Sequence, residues 1–232
     1  MISSDLLTGK NTEHLTSFQQ ENEEWFLHKE ALPDFLNLKK KAAQAGFDIH
    51  IASAFRDYDR QLLIWNEKAC GKRILRGNLG EILDFKKLSP AELMFAILRW
   101  SAFPGASRHH WGTDIDIFPV SHLPQGAEPQ MIPQESEVGG IFYDFHQWLS
   151  QQITKNKSFG FFRPYAHDLG GVAPEMWHLS YAPLSTKYFK YYNLELFESL
   201  LENNFLELRD VVLKNKKLIF EQFVTNIVPP PF

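Results

Sequence analysis

The strand-like segments of this chain are short, widely spaced and never in regular βαβ order. FDIHIAS at 47–53 alternates Phe47, Ile49 and Ile51 against Asp48, His50 and Ala52, the period of a half-buried strand. TDIDIF at 113–118, FGFF at 159–162, WHLSYA at 177–182 and FVTNIV at 223–228 are the others. FGFF and WHLSYA read as strands joined by a turn containing Gly170 and Gly171. The expectation is α+β: a small antiparallel sheet flanked by helices.

The helices carry clearer punctuation. PDFLNLKKKAAQA at 33–45 has Pro33 near its start and Gly46 placed to end it. DYDRQLLIWNEKA follows the first strand, with Asp57 as N-cap, so Arg56 sits where strand hands over to helix. Residues 71–88 read as a charged excursion. SPAE at 89–92 then predicts a capping box from Ser89 to Glu92, continuing through LMFAILRW. PGASRHHWG reads as a loop, 119–137 as a proline-rich loop, and 141–153 as a helix. Two amphipathic helices are expected at roughly 185–202 and 206–219. The organisation expected is one domain over 1–232, with 184–232 a helical extension packed on it.

The 232 residues are 44% hydrophobic and include 20 phenylalanines, enough for a sizeable core. A net charge of −4 argues against nucleic acid as the main partner. The longest membrane candidate, LMFAIL at 93–98, is far too short to span a bilayer. Cys70 is the only cysteine, so an intramolecular disulfide is excluded, and it reads as a small, at least half-buried filler. MISSDLLTGKNTEHL has no basic region followed by an apolar one. A soluble, cytoplasmic protein is therefore expected; removal of a leader would make it periplasmic.

Two segments carry the chemistry: SRHHWGTDID at 107–116 and PEMWHLSY at 174–181. Gly112 breaks the first, and the strand beyond puts Asp114 and Asp116 on one face. A histidine before the glycine can fold back toward such a carboxylate, and His178 can add a second nitrogen. Two nitrogens and an oxygen suit a zinc ion that keeps a coordination position for water. Ordinary loop and strand residues fit the same spacing, and spacing does not choose between His109 and His110, or between Asp114 and Asp116. Trp111 and Trp177 read as packing walls or as substrate contacts. Arg60, Arg108 and Arg163 read as solvated, or as a positive patch for an acidic peptide.

S-x-H-x-x-G-x-x-x-D at 107–116 followed by E-x-W-H at 175–178 resembles the zinc D-Ala-D-Ala carboxypeptidases of the vancomycin-resistance type. These belong to the lysostaphin/D-Ala-D-Ala-metallopeptidase/hedgehog superfamily. SAFRDYDRQ at 53–61 is similar to that family's S-x-x-R…Q segment. With LLTGKNTEHL, ILRWSAFPGASRHHWGTDIDI and FFRPYAHDLGGVAPEMWHLSYAP, the likeness covers most of residues 6–183. The resemblance implies His109, Asp116 and His178 as zinc ligands, and Glu175 as general base and then acid. It implies Arg56 as the stabiliser of the oxyanion, with Ser107 and Gln61 near the substrate. Met176 stands where the family commonly has proline, which is expected to free the turn and loosen Glu175.

The implied substrates are peptidoglycan stem peptides or muropeptides ending in D-alanine. An L,D-carboxypeptidase trimming tetrapeptides in wall recycling fits a cytoplasmic protein, because cutting D-Ala-D-Ala there would damage wall precursors. A D,D-carboxypeptidase is the alternative. A non-catalytic zinc module that binds muropeptide or protein is a remoter one, and Glu175 and Arg56 speak against it.

Overall fold

The computed structural model describes residues 2–202 and 205–232. A single helical turn, α1 (Ser4–Leu7), leads into a hairpin of β1 (Leu15–Gln20) and β2 (Glu23–His28). The sequence reading assigned nothing here, since the two-residue loop turns at Glu21 with φ +55° and lacks the usual Asn-Gly or Asp-Gly. Next come α2 (Leu32–Gln44), β3 (Ile49–Ser53) and α3 (Tyr58–Ala69). Asp57 caps α3 as expected, its carboxylate accepting the Arg60 N–H at 2.6 Å. The 71–88 excursion folds as a small hairpin of β4 (Leu75–Arg76) and β5 (Ile82–Leu83). Then α4 (Pro90–Trp100) opens with both halves of the Ser89–Glu92 capping box. Beyond it lie β6 (Asp114–Pro119), α5 (Pro133–Ser136), α6 (Tyr143–Thr154), β7 (Phe161–Phe162) and β8 (His178–Tyr181). The chain ends through α7 (Ala182–Tyr191), α8 (Leu194–Ser199) and α9 (Arg209–Ile219).

The central sheet has four antiparallel strands in the order β3-β6-β8-β7, the α+β architecture the segments implied. Alternation along β6 sends Ile115 and Ile117 into the core and Asp114 and Asp116 to the other face. Ile49, Ile51, Leu179 and Phe161 from the remaining strands join the same core, as do Phe35 and Leu38 of α2. Phe197 of α8 and Val212 and Ile219 of α9 belong to this core too. Register then does the work that matters for function. Ser53 pairs with Asp116 and Asp116 with His178, so three strands set these side chains in one row.

Several expectations need correction. The helix expected over 185–202 breaks at Asn193, whose side chain accepts the Leu196 N–H and starts α8. FVTNIV is no strand: Phe220–Val224 continues α9 as a π-helical turn, with Phe223 packed on Phe95 of α4. A short apolar run cannot by itself tell strand from helix. Residues 163–177 between β7 and β8 form a long loop rather than a turn. Cys70, expected to be at least half-buried, is exposed at the C-terminal end of α3. Arg108 and Arg163 are buried at 4% exposure each; hydrogen bonds to Asp114, Met176 and Ser150 make that tolerable.

Candidate metal centre and active-site cavity

PGASRHHWG is compact rather than open. Arg108–Trp111 form a 3-10 turn that ends at Gly112, which has φ +65°. A Cβ there would overlap the Leu15 side chain and stand 2.9 Å from the backbone nitrogen of His28. That N–H donates to the Gly112 carbonyl at 2.7 Å, so the N-terminal hairpin presses directly on the turn. Only glycine meets both demands.

The turn separates the two histidines. His110 is fully buried and both of its ring nitrogens are engaged. Nδ1–H donates to the Arg56 carbonyl at 2.5 Å, and Nε2 accepts the Gly105 N–H at 3.0 Å. His109 Nδ1–H donates to the Ala54 carbonyl at 2.9 Å, leaving Nε2 3.3 Å from Asp116 Oδ2. On β8, His178 Nε2–H donates to Asp114 Oδ1 at 3.0 Å, which turns Nδ1 toward Asp116 Oδ1 at 3.0 Å and Glu175 Oε2 at 3.6 Å. One donor atom from each of His109, Asp116 and His178 lies within 4.8 Å of the others. Of the alternatives left open by spacing, His109 and Asp116 are the ones that converge with His178; both ring nitrogens of His110 are taken by backbone groups, and Asp114 lies behind His178 as its hydrogen-bond acceptor.

These residues fit a metal ion on their chemistry. Two imidazoles and one carboxylate converge, and each imidazole has its far nitrogen fixed by an acceptor, the arrangement that orients metal-binding histidines. Burial opposes charge on His178, yet its hydrogen bonds to Asp114 and Asp116 outweigh it and push the ring up to about 10. Burial also works against the Asp116 carboxylate, but His109 and His178 hold it well below the usual range. Burial lowers His109.

Glu175 and Arg56 border the same cavity, which has a volume of about 220 Å3. Burial, with the charge of Asp116 adding to it, pushes the Glu175 carboxyl up to about 7. Arg56 donates from Nη1 to Gln61 Oε1 and from Nη2 to Ser53 Oγ, each at 2.8 Å, and among the described residues no carboxylate forms an ion pair with it. Gln61, expected near the substrate, is fully buried and does not line the cavity. Its amide also donates to the Ala102 carbonyl at 2.7 Å, so it acts as a brace for Arg56. Ser107 does line the cavity. Trp177 forms part of the wall, whereas Trp111 is core, its Nε1–H donating to the Leu7 carbonyl.

The loosening expected from Met176 does not occur. Glu175 N–H donates to the Tyr165 carbonyl at 2.9 Å, and Ile117 N–H to that of Trp177 at 3.1 Å. Arg163 Nε donates to the Met176 carbonyl at 2.7 Å, pinning the turn without a proline. Tyr165, Lys68 and Arg76 line the cavity and went unread in the sequence; the Tyr165 ring sits tilted against His178, centroids 5.0 Å apart. Ser53, the serine of the S-x-x-R segment, gains its place through register with Asp116.

The model of the VanY family, described as D-alanyl-D-alanine carboxypeptidase, matches residues 24–184. Two uncharacterized Haemophilus influenzae proteins are similar to parts of the chain. One is 40% identical over 102 residues, 44% of this chain and 70% of that protein. The other is 31% identical over 121 residues, 51% of this chain and 90% of that protein. Among solved structures, VanYB in complex with D-Alanine-D-Alanine has a TM-score of 0.51 at 23% identity, covering 80% of this chain and 88% of that one. A mutant of the D,D-pentapeptidase VanY in complex with Zn(II) has the same score and identity, covering 80% and 90%. The LD-carboxypeptidase LdcB scores 0.50 at 23% identity, covering 82% and 80%. These structures share the hedgehog-like peptidase fold, and the family match spans most of the sequence, including every residue of the cavity described above. The chain belongs to the VanY D-alanyl-D-alanine carboxypeptidase family.

Proposed function

We propose that this protein is a zinc-dependent carboxypeptidase that releases C-terminal D-alanine from peptidoglycan stem peptides. One observation carries the reading. Three side chains able to donate to a metal, the buried Glu175 carboxyl and the Arg56 guanidinium converge on one cavity. Family membership and the fold shared with VanYB and LdcB support it.

His109, Asp116 and His178 would hold the zinc ion, which when bound would supply Lewis-acid polarisation of the scissile carbonyl and lower the pKa of the attacking water. Glu175 takes the proton of the attacking water and passes it to the departing amine, a role suited to a carboxyl pushed up to about 7. Arg56, held rigid by Gln61 and Ser53, faces the negative charge that develops on the scissile oxygen. A preorganised donor there is worth about 3–4 kcal/mol of barrier. Ser107, at the cavity wall, binds substrate.

Between the two specificities our reading is the L,D reaction on tetrapeptides, together with a cytoplasmic location. A cytoplasmic D,D-carboxypeptidase would consume wall precursors. The second reading is D,D-cleavage, which the description of the family model favours. D-alanine release from tetrapeptide and pentapeptide, offered side by side to zinc-loaded protein, tests both. Release from tetrapeptide alone supports the first reading, and one D-alanine from pentapeptide alone replaces it with the second. No release from either refutes the carboxypeptidase reading.

A further inference from the structure

The reaction cavity holds two cations that the chemistry above does not use. Lys68, in the last turn of α3, and Arg76, on β4, line it alongside Glu175 and the metal-donor residues. Neither comes from the sheet that carries the metal donors. Among the described residues the Lys68 ammonium has no hydrogen bond and no ion pair, and burial with the nearby Arg56 charge pushes it down to about 8. Arg76 spends one donor, Nη1, on the Gly80 carbonyl at 2.9 Å and pairs with no carboxylate.

The charge balance makes these two groups conspicuous. Arg108 is neutralised by Asp114 at 2.8 Å, so it adds no free charge to the cavity. The acids that line the cavity are Asp116, a metal donor, and Glu175, which handles the proton. Among the described residues Lys68 and Arg76 therefore border the cavity without an ion pair, Lys68 largely buried and within reach of the Glu175 charge, Arg76 half-buried, and a cation in such a place is favoured by a ligand anion that meets it. Arg76 also borders the adjoining groove that runs along α4 past Leu83 and Phe95, so the cavity opens on its side. The groove farther along carries Glu81, Glu92 and Asp168, so a carboxylate is favoured at the Arg76 end, beside Lys68, and not deeper in the groove.

We propose that Lys68 and Arg76 form a subsite for a side-chain carboxylate of the substrate. The subsite selects stem peptides whose diamino acid next to the scissile bond is a dicarboxylic acid over those carrying lysine there. This rests on the L,D-carboxypeptidase reading, in which the diamino acid adjoins the scissile bond, and names its substrate class.

The test compares kcat and KM for two peptides identical except at that residue, one with a diamino dicarboxylic acid and one with lysine. Wild-type protein is expected to prefer the dicarboxylic peptide by on the order of tenfold to a hundredfold in kcat/KM, the strength of a charge-assisted contact. In Lys68→Met and Arg76→Gln the preference falls toward one, with the change carried by KM for the dicarboxylic peptide. Lys68→Arg keeps most of it. Because the readout is a ratio within one protein sample, a partly misfolded variant does not distort it. Equal kcat/KM for both peptides in wild type overturns the proposal. So does an equal loss on both peptides in the variants, which would place the cations on a carboxylate common to the two, such as the C-terminal one. Hydrolysis of neither peptide removes the L,D reading, and the subsite with it, whereas the D,D reading is decided by the pentapeptide.

Discussion

Replacing Asp114 by asparagine separates orientation of a metal ligand from ligation itself. The Asp114 carboxylate is fully buried and accepts from His178 Nε2 at 3.0 Å, Arg108 Nε at 2.8 Å, Thr113 Oγ1 at 2.7 Å and Ser180 Oγ at 3.1 Å. Asparagine preserves the shape but removes the charge and one acceptor. His178 then loses the partner that fixes Nε2 as the protonated nitrogen and aims Nδ1 at Asp116. Loss of such a partner costs about 10- to 100-fold in metal affinity, or about 1.4–2.7 kcal/mol. Separately, Arg108 becomes a buried cation without a counter-charge, which costs about 3–5 kcal/mol of folding stability. Two assays read the two effects: zinc affinity by chelator competition, and denaturant unfolding of metal-free protein. The expected result is a weakened but measurable zinc site in a clearly destabilised protein. Wild-type zinc affinity would refute the orienting role. Complete loss of zinc binding in protein that still folds would make Asp114 itself a ligand, against the geometry in which it lies behind His178.

Other consequences follow from the same contacts. Glu175→Gln should lower kcat by about 10²- to 10⁴-fold while zinc stays bound, since the residue moves protons and is not among the metal donors; zinc content and steady-state rates check this, and a rate within twofold of wild type would contradict it. Gly112→Ala should destabilise the fold by about 1–3 kcal/mol, from positive φ and overlap with Leu15 and His28, as read from the unfolding midpoint. His146 is buried, and burial with the neighbouring Arg163 pushes it down to about 2. The unfolded chain therefore takes up this proton first, near pH 6.5, and stability present above that value is lost as pH falls toward 2. One such histidine removes about 1.6 kcal/mol between pH 6.5 and 5, so His146→Gln should flatten the acid limb of the stability curve by that amount. Finally, His178 is pushed up to about 10 and so holds a proton at neutral pH that zinc must displace. Calorimetry in buffers of different ionisation enthalpy should show proton release on zinc binding at pH 7.

Much of the local structure was legible along the chain, because caps and periodicity act between near neighbours. Asp57 starting α3, the Ser89–Glu92 box and the alternation of β3 and β6 are of this kind. So was the set of residue types at the site, since SRHHWGTDID and PEMWH each keep their reacting groups within a few residues. Spacing left open which of two adjacent histidines and which of two aspartates converge with His178, and only the family resemblance chose between them. The tertiary structure brings together the pair that the resemblance implied. The turn closed by Gly112 sends His109 and His110 to opposite partners, and the β6–β8 register sets Asp116, not Asp114, at the nitrogen His178 leaves free. The role of Gln61, the burial of Arg108 and Arg163, the helical fate of FVTNIV and the uncompensated charges of Lys68 and Arg76 were likewise invisible one segment at a time. Each depends on which distant element supplies, or fails to supply, a partner, and a linear pattern does not carry that information.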